Sequence, residues 1–438
     1  MTKTIGIALL GSGIVGEGVL NILATQADRI ADRYGLRFEV KHVVVRDVSK
    51  PRKFAANVST DAEAAIDDPA VDVVVELIGG TTRSGELVER ALKLGKPVVT
   101  ANKSLLAARG AELFALARKH NTCIAFEASC GGGVPIVDAL LRSLVANDVR
   151  ALVGIVNGTC NYILTRMTVA GLPYADALKE AQAAGFAEAD PTLDVSGRDA
   201  AQKLALLAGL AFGAKFAESD ILIEGIDTLD ARDIGMAKEL GYVIKLLAIA
   251  MRDEATKAVS LRVHPTLVHA DDVLADVAGS FNAISVWGHA LGHALFYGRG
   301  AGSTPTASAV VGDLVAVGTG ACAATFAHSR VFPDTARPVT LLPREEIRSR
   351  YYLRLTARDW PGTMARVTEI LGRRKISLSA VLQHETLDAA GFVPIVITTH
   401  AAREGDIREA LAELNALDVV GAPTACLRII DQPKEFAD

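Results

Sequence analysis

The chain has 438 residues, half of them apolar, and a formal net charge of −5. That length exceeds one core and fits about three domains, while Lys and Arg are scattered rather than gathered into a stripe, which leaves no electrostatic footprint for nucleic acid. The longest apolar runs, near 204–214 and 314–327, are too short or too rich in Gly and Ala to span a bilayer, so no membrane partner is expected.

Met1-Thr-Lys leads straight into a strand pattern with no signal-peptide layout, so a cytoplasmic location is expected. The apolar run Ile5-Gly-Ile-Ala-Leu-Leu10 meets Gly11-Ser-Gly-Ile-Val-Gly16 and then a helical pattern to about residue 33. Such a strand, glycine turn and helix suit a dinucleotide: Gly11 for the tight turn, Gly13 for backbone approach to a pyrophosphate, Gly16 for helix–strand packing. The required context follows, with strands expected at 38–46, 71–77, 97–100 and 122–127 between helical stretches. Arg46 ends the second strand where an NAD site usually carries an acid, and Lys50, Arg52 and Lys53 follow. A 2′-phosphate fits there, which favours NADP and keeps NAD possible; with Asp47 adjacent, an ordinary solvated loop is the other reading.

Glu76-Leu-Ile-Gly-Gly80 and Val98-Val-Thr-Ala-Asn-Lys103 stand at the carboxyl ends of expected strands, the edge where open parallel sheets bind ligands. Lys103 then contacts cofactor or substrate, or is simply exposed in a helix start capped by Asn102 or Ser104. Phe126 to Pro135 holds three consecutive glycines that present backbone oxygens and amides to a ligand or small cation. From about 136 to 342 helical stretches mix with β-rich ones such as 149–156 and 258–268, as expected of a second, inserted domain. Near its start, 154–163 runs from a strand into an amide- and hydroxyl-rich helix start; near its close, 297–309 is a glycine-rich loop.

Residues 185–203 hold four carboxylates and one amine. Glu188, Asp190 and Asp194 fall in an irregular segment broken by Pro191 and Gly197, and Asp199 and Lys203 share one face of an apolar helix. A buried lysine there needs a partner or a function; the plainer reading is a helix-start ion pair beside a solvated acidic loop. The five cysteines, Cys123, Cys130, Cys160, Cys322 and Cys426, have no metal-site or disulfide spacing and read as core residues. After Pro338, Pro343 and a charged run at 344–350, a third unit begins. A strand from 351, a turn at Asp359-Trp-Pro-Gly362, a helix to 374, strands at 376–384 and 392–399, a helix at 402–414 and a strand near 425–430 make βαββαβ. The tail 432–438 is expected to be disordered.

The motifs GSGIVG, ELIGG, VVTANKSLLA, FEASCGGGVP, GIVNGTCNYIL, EAQAAGFAEADPTLDVSGRDAAQKL, EGI and YGRGAGSTPTASAVVGDL stand in the order that resembles homoserine dehydrogenase, over roughly residues 5–320. The last unit, with its D-x-P-G turn, resembles the ACT regulatory domain. The resemblance implies an α/β Rossmann-like nucleotide-binding domain at 1–135, completed by about 305–335. An α+β catalytic and dimerisation domain at 136–304 and a ferredoxin-like ACT domain at 350–430 follow from it too.

It also implies NAD(P)-dependent interconversion of L-homoserine and L-aspartate 4-semialdehyde. Lys203 would transfer the proton with Asp199 beside it, and Glu188, Asp194 and Asp199 would hold the substrate. Gly11, Gly13, Ile14, Val15, Gly16, Lys103, Gly185 and Gly302 match cofactor positions, with Arg46 at the 2′-phosphate. A sodium-like ion would sit on Glu127, Cys130, Gly132 and Val134. The ACT unit implies threonine as effector and a homodimer or homotetramer, a dimerisation module that binds no ligand being the other reading. Cys130, Cys160 and His289 depart from the family pattern, none of them in the acidic span. Other readings are a non-catalytic NADPH- and amino-acid-responsive regulator, or an oxidoreductase for a different semialdehyde. The intact Asp199/Lys203 pair and acidic span argue against both. A kinase fusion is not expected with the first strand starting at residue 5.

Overall fold

The computed structural model describes every residue except 1, 51, 53–56, 385–390, 432 and 434–438. Lys53 and nearly all of the tail therefore lie outside the described residues. The chain divides into two compact units, Met1–Gly158 with Asp199–Asp220 and Ser280–Val339, and Thr159–Arg198 with Ile221–Gly279 and Thr340–Asp438.

The first unit carries a six-stranded parallel sheet: β1 (Lys3–Leu10), β2 (Leu36–Val44), β3 (Val58–Ser59), β4 (Val73–Glu76), β5 (Val98–Thr100) and β6 (Ile124–Ala125). Its order is β3-β2-β1-β4-β5-β6, so the winding reverses between β1 and β4. A reversal of this kind opens a crevice at the carboxyl ends of the strands. β1 reads as an unbroken apolar run because helices cover both faces: Ile7 and Leu9 are wholly buried in a core that also contains Val19, Leu20, Ala307, Val310 and Leu314. The helical pattern after Gly13 proves to be two helices, Ile14–Thr25 and Ala27–Tyr34, parted at Gln26, because Thr25 and Gln26 carry no apolar face to bury. The fifth expected strand is also shorter, ending at Ala125; the chain tightens into a 3-10 turn at Glu127–Ser129. A second, antiparallel sheet in this unit pairs Val149–Ile155 with Phe281–Gly288, and the latter with Gly292–Arg299.

In the second unit the strands Tyr242–Arg252 and Val259–His269 form a long antiparallel pair. The last segment has the expected βαββαβ order, with strands Arg348–Arg358, Leu378–Gln383, Phe392–Thr399 and Val420–Ile429 and helices Thr363–Arg373 and Glu404–Asn415. These helices bury Val367, Leu371, Ile407 and Leu414 against Leu353, Leu355 and Ile397. A two-residue strand, Ala402–Arg403, takes the start of the expected second helix. Among the described residues no single helix is long and apolar enough to cross a membrane; Ser303–Gly318 and Ala321–His328 reach that composition only together, and they meet at 79°.

Candidate active site

Asp199 is the centre of a buried charge cluster in the first unit. It lies in the first turn of the helix Arg198–Phe212, and its side chain is 6 % exposed. Ala200, Ala201, Leu204 and Leu207 of this helix are buried in the core. Lys203, one turn on, donates from Nζ to Asp199 Oδ2 at 2.7 Å and to the Val156 carbonyl at 2.8 Å. Asn157 Nδ2 donates to the same Oδ2 at 2.8 Å, and Lys103 Nζ stands 3.0 Å from Oδ1. Burial alone would raise the Asp199 carboxyl; the two ammonium groups outweigh it and hold it well below the usual carboxylate range.

Local rules place Lys103. Asn102 accepts from Leu105 N at 3.1 Å as a helix cap, and its amide donates to Gly80 O at 2.7 Å. Glu76, buried at the end of β4, accepts from Ile78 N, Gly79 N and Thr100 Oγ1. The two strand ends are thus knitted together, and Lys103 opens its helix facing Asp199. Asn102 is the helix cap, and Lys103 is an ion-pair partner of Asp199 rather than an idle exposed charge.

The glycine turn has the expected geometry. Gly11 adopts φ +102°, and a Cβ on Gly16 would lie 2.4 Å from the Gly11 carbonyl oxygen, so both positions need glycine. A Cβ on Gly13 would meet only open space. The helix beginning at Ile14 has no side-chain cap, which leaves its first N–H groups to a ligand, and Ile14 itself is 77 % exposed. Ser303, following Gly302, donates from Oγ to the Ile14 carbonyl at 2.7 Å and ties the second glycine loop to the first. Val15 is half-buried and Arg46 is exposed just beyond β2. The residues present fit a dinucleotide.

One residence of the acidic span differs from expectation. Asp194 lies in a short helix, Thr192–Val195, rather than an irregular stretch, because Asp190 accepts from Thr192 N and Oγ1 and starts a turn. Asp190 is thereby occupied structurally. Asp194, Glu188 and Gly185 all belong to the second unit; Glu188 is exposed, and Gly185 adopts φ +75°. Cys160 Sγ donates to the Asp194 carbonyl at 3.2 Å, so this thiol is a packing element under the acid. Around the other glycine turn, Glu127 accepts from Val137 N and Asp138 N with its two carboxylate oxygens, and Cys130 is fully buried, its thiol pushed up to about 11 by that burial. A thiol so placed is unreactive. Gly132 and Val134 complete that turn, and a Cβ on Gly132 would strike the Gly300 carbonyl.

Residues 135–315 match the homoserine dehydrogenase family, residues 11–127 the homoserine dehydrogenase NAD binding domain, and residues 351–419 the ACT domain. Over 431 residues the chain is 43% identical to the homoserine dehydrogenase of Pseudomonas aeruginosa, covering 98% of this chain and 99% of that one. The chain belongs to the homoserine dehydrogenase family. It shares the fold of the crystal structure of a homoserine dehydrogenase from Thiobacillus denitrificans, with 43% identity, a TM-score of 0.92 and coverage of 98% and 99% of the two chains. Homoserine dehydrogenase from S. aureus is similar at 31% identity and a TM-score of 0.74, over 98% and 100%. The protein is accordingly an oxidoreductase of amino-acid biosynthesis acting on a CH–OH group, with an NAD(P)-binding Rossmann-like domain and a C-terminal ACT domain.

Sequence reasoning missed Asn157 and the Val156 carbonyl. They lie in the noticed motif GIVNGTCNYI, but only folding brings Asn157 to the Asp199 carboxylate 42 residues on and the Val156 carbonyl to the Lys203 ammonium 47 residues on.

The charge cluster has a pH signature. A carboxyl held below its unfolded value stabilises the fold above that value, near pH 4, and the contribution is lost as pH falls through the folded value. Asp199→Asn is therefore expected to lose stability less steeply than the parent between about pH 5 and pH 3, read from thermal midpoints; parallel curves would deny Asp199 this role.

Proposed function

We propose that this family member interconverts L-homoserine and L-aspartate 4-semialdehyde, with NADP preferred and NAD possible, and that Lys203 moves the proton. The observation that carries the reading is the placement of Lys203: its ammonium is held by Asp199 and the Val156 carbonyl, so two of its three N–H bonds are directed and the third is left to a substrate oxygen. The bound nicotinamide supplies or takes the hydride. In the reducing direction a charged Lys203 donates a proton to the aldehyde oxygen; in the oxidising direction it first gives up a proton to solvent and, as the neutral amine, accepts the one leaving the hydroxyl. Asp199 holds that amine in place and keeps a negative charge beside it. Glu188 and Asp194 are the acids proposed for the substrate ammonium, carried over from the family motif with Asp199.

Gly11, Gly13, Ile14, Val15 and Gly16 are proposed to cradle the pyrophosphate, with Lys103, Gly185 and Gly302 as further cofactor contacts. Main-chain oxygens of Glu127, Cys130, Gly132 and Val134 suit a sodium ion; the Glu127 carboxylate is engaged by Val137 N and Asp138 N. We assign the domains as 1–135 with 305–335, 136–304 and 350–430, in a cytoplasmic homodimer or homotetramer, with threonine as the ACT effector.

Rates with NADPH and NADH, each with and without threonine, test these assignments together. A higher rate with NADPH and inhibition by threonine are expected; equal rates remove the NADP preference, and indifference to threonine removes the effector. Arg46→Asp is expected to move the NADPH/NADH ratio of kcat/KM towards NADH by roughly ten-fold or more, the worth of one charge-assisted phosphate contact. An unchanged ratio would take Arg46 out of the 2′-phosphate site.

A further inference from the structure

The second unit contains an ionic link from the ACT segment to Glu224, whose backbone neighbours touch the acidic span. Arg428, near the end of the last ACT strand, is 5 % exposed at its side chain. Its guanidinium forms a fork on Glu224, with Nη1 and Nη2 at 2.6 and 2.8 Å from the two carboxylate oxygens. The other edge grips Glu404 through Nε at 3.0 Å and Nη2 at 2.6 Å, and Tyr351 Oη donates to Glu404 at 2.8 Å. Backbone pairing holds the two strands in register here, since Thr266 lies opposite Arg428 and Leu267 opposite Ile429 in a parallel pair.

Glu224 passes this restraint on through its own main chain. It follows the short strand Leu222–Ile223, and its N–H donates to Val263 O at 2.8 Å. Two residues on, Ile226 N donates to Val195 O at 2.8 Å. A Cβ on the intervening Gly225 would lie 2.4 Å from that same carbonyl, so the two backbones touch. Gly197, in a left-handed conformation at φ +82°, packs in turn against the Glu224 carbonyl. Val195 is the residue after Asp194, in one turn of helix too short to fix its own orientation.

We propose that Arg428 and Glu224 are positioning residues for Asp194: the ACT strand, through this fork and the Glu224-Gly225-Ile226 backbone, sets the carboxylate that holds the ammonium of the amino-acid substrate. The inference rests on the reading of Asp194 given above. It makes the ACT segment part of basal substrate affinity, with or without an effector. A bidentate fork suits the task because it fixes direction as well as distance, and sub-ångström placement of a substrate-holding group governs affinity and rate.

The test is a double-variant cycle on the full chain, with KM for homoserine and for NADP⁺ and kcat measured for Glu224→Gln, Asp194→Asn and both together. Glu224→Gln leaves Arg428 paired with Glu404, so no buried cation is stranded. The expected result is a rise of about ten-fold in KM for homoserine, kcat within about two-fold and an unchanged KM for NADP⁺. The double variant should be no worse than Asp194→Asn alone, since the effect of Glu224 passes through Asp194. Multiplying effects, an equal rise in both KM values, or a silent Glu224→Gln beside an impaired Asp194→Asn would overturn the inference while leaving the substrate reading intact. An unimpaired Asp194→Asn would overturn the substrate reading, and this inference with it. If Glu224→Gln does not fold, Glu224→Asp, which keeps the charge and shortens the reach, decides by the same criteria.

Discussion

Lys203→Ala is expected to lower kcat by about 10³-fold or more in either direction while leaving the dissociation constant for NADPH close to that of the parent. Proton transfer by a positioned group is worth about 10²–10⁴-fold, and the alanine also removes the donor that orients the reacting oxygen. The fold should tolerate the change. Asp199, the buried carboxylate that Lys203 serves, keeps Lys103 at 3.0 Å and Asn157 at 2.8 Å, so no isolated charge is left behind. The Val156 carbonyl loses a donor and can be reached by water through the space the side chain vacates. A normal NADPH affinity with collapsed turnover therefore separates chemistry from structure; loss of NADPH binding in step with turnover would make Lys203 a structural residue.

Arg428→Met is expected to have the largest effect on stability, about 3–5 kcal/mol, because it strands a buried charge. Glu404 is 3 % exposed at its side chain and, among the described residues, would keep the Tyr351 hydroxyl at 2.8 Å and the more distant Arg408 at 3.8 Å. Burial works to raise the Glu404 carboxyl, and at present the Arg428 hydrogen bonds outweigh it and hold the group below its usual value. Without Arg428 that balance reverses. The variant's deficit should then shrink as pH is lowered and Glu404 takes up a proton, the opposite of the parent, in which this carboxyl loses its stabilising effect on acidification. Denaturant melts of both proteins at neutral and mildly acid pH measure this. A deficit below about 1 kcal/mol, or one that grows with acid, would show that the network carries little of the fold's stability.

The parts of the molecule legible in the sequence are those whose physics is local. Gly11 and Gly16 declare themselves because a left-handed turn and a backbone contact admit no other residue, and β1 does because a strand covered on both faces must be apolar throughout. The Asp199/Lys203 pair was visible for the same reason, being set by helical spacing alone. What escaped was either marginal or distant. The break at Gln26 and the truncation of β6 at Ala125 are decided by packing rather than by any residue that forbids continuation. Lys103 was placed at a strand end, but its partner lies 96 positions along, and Asn157 reaches Asp199 across 42. Glu224 stood in a noticed motif without a role, since its partner Arg428 is 204 residues away on a strand whose polar positions look solvent-facing until it pairs with Val259–His269.

The most direct measurement is the absorbance of the reduced nicotinamide after purified protein is mixed with L-aspartate 4-semialdehyde and NADPH. The expected result is rapid oxidation of the cofactor by the parent, with homoserine as product, and oxidation slower by about 10³-fold or more with Lys203→Ala under the same conditions. NADPH that binds to the parent and remains reduced in the presence of the aldehyde would contradict it and favour a cofactor-responsive regulator instead.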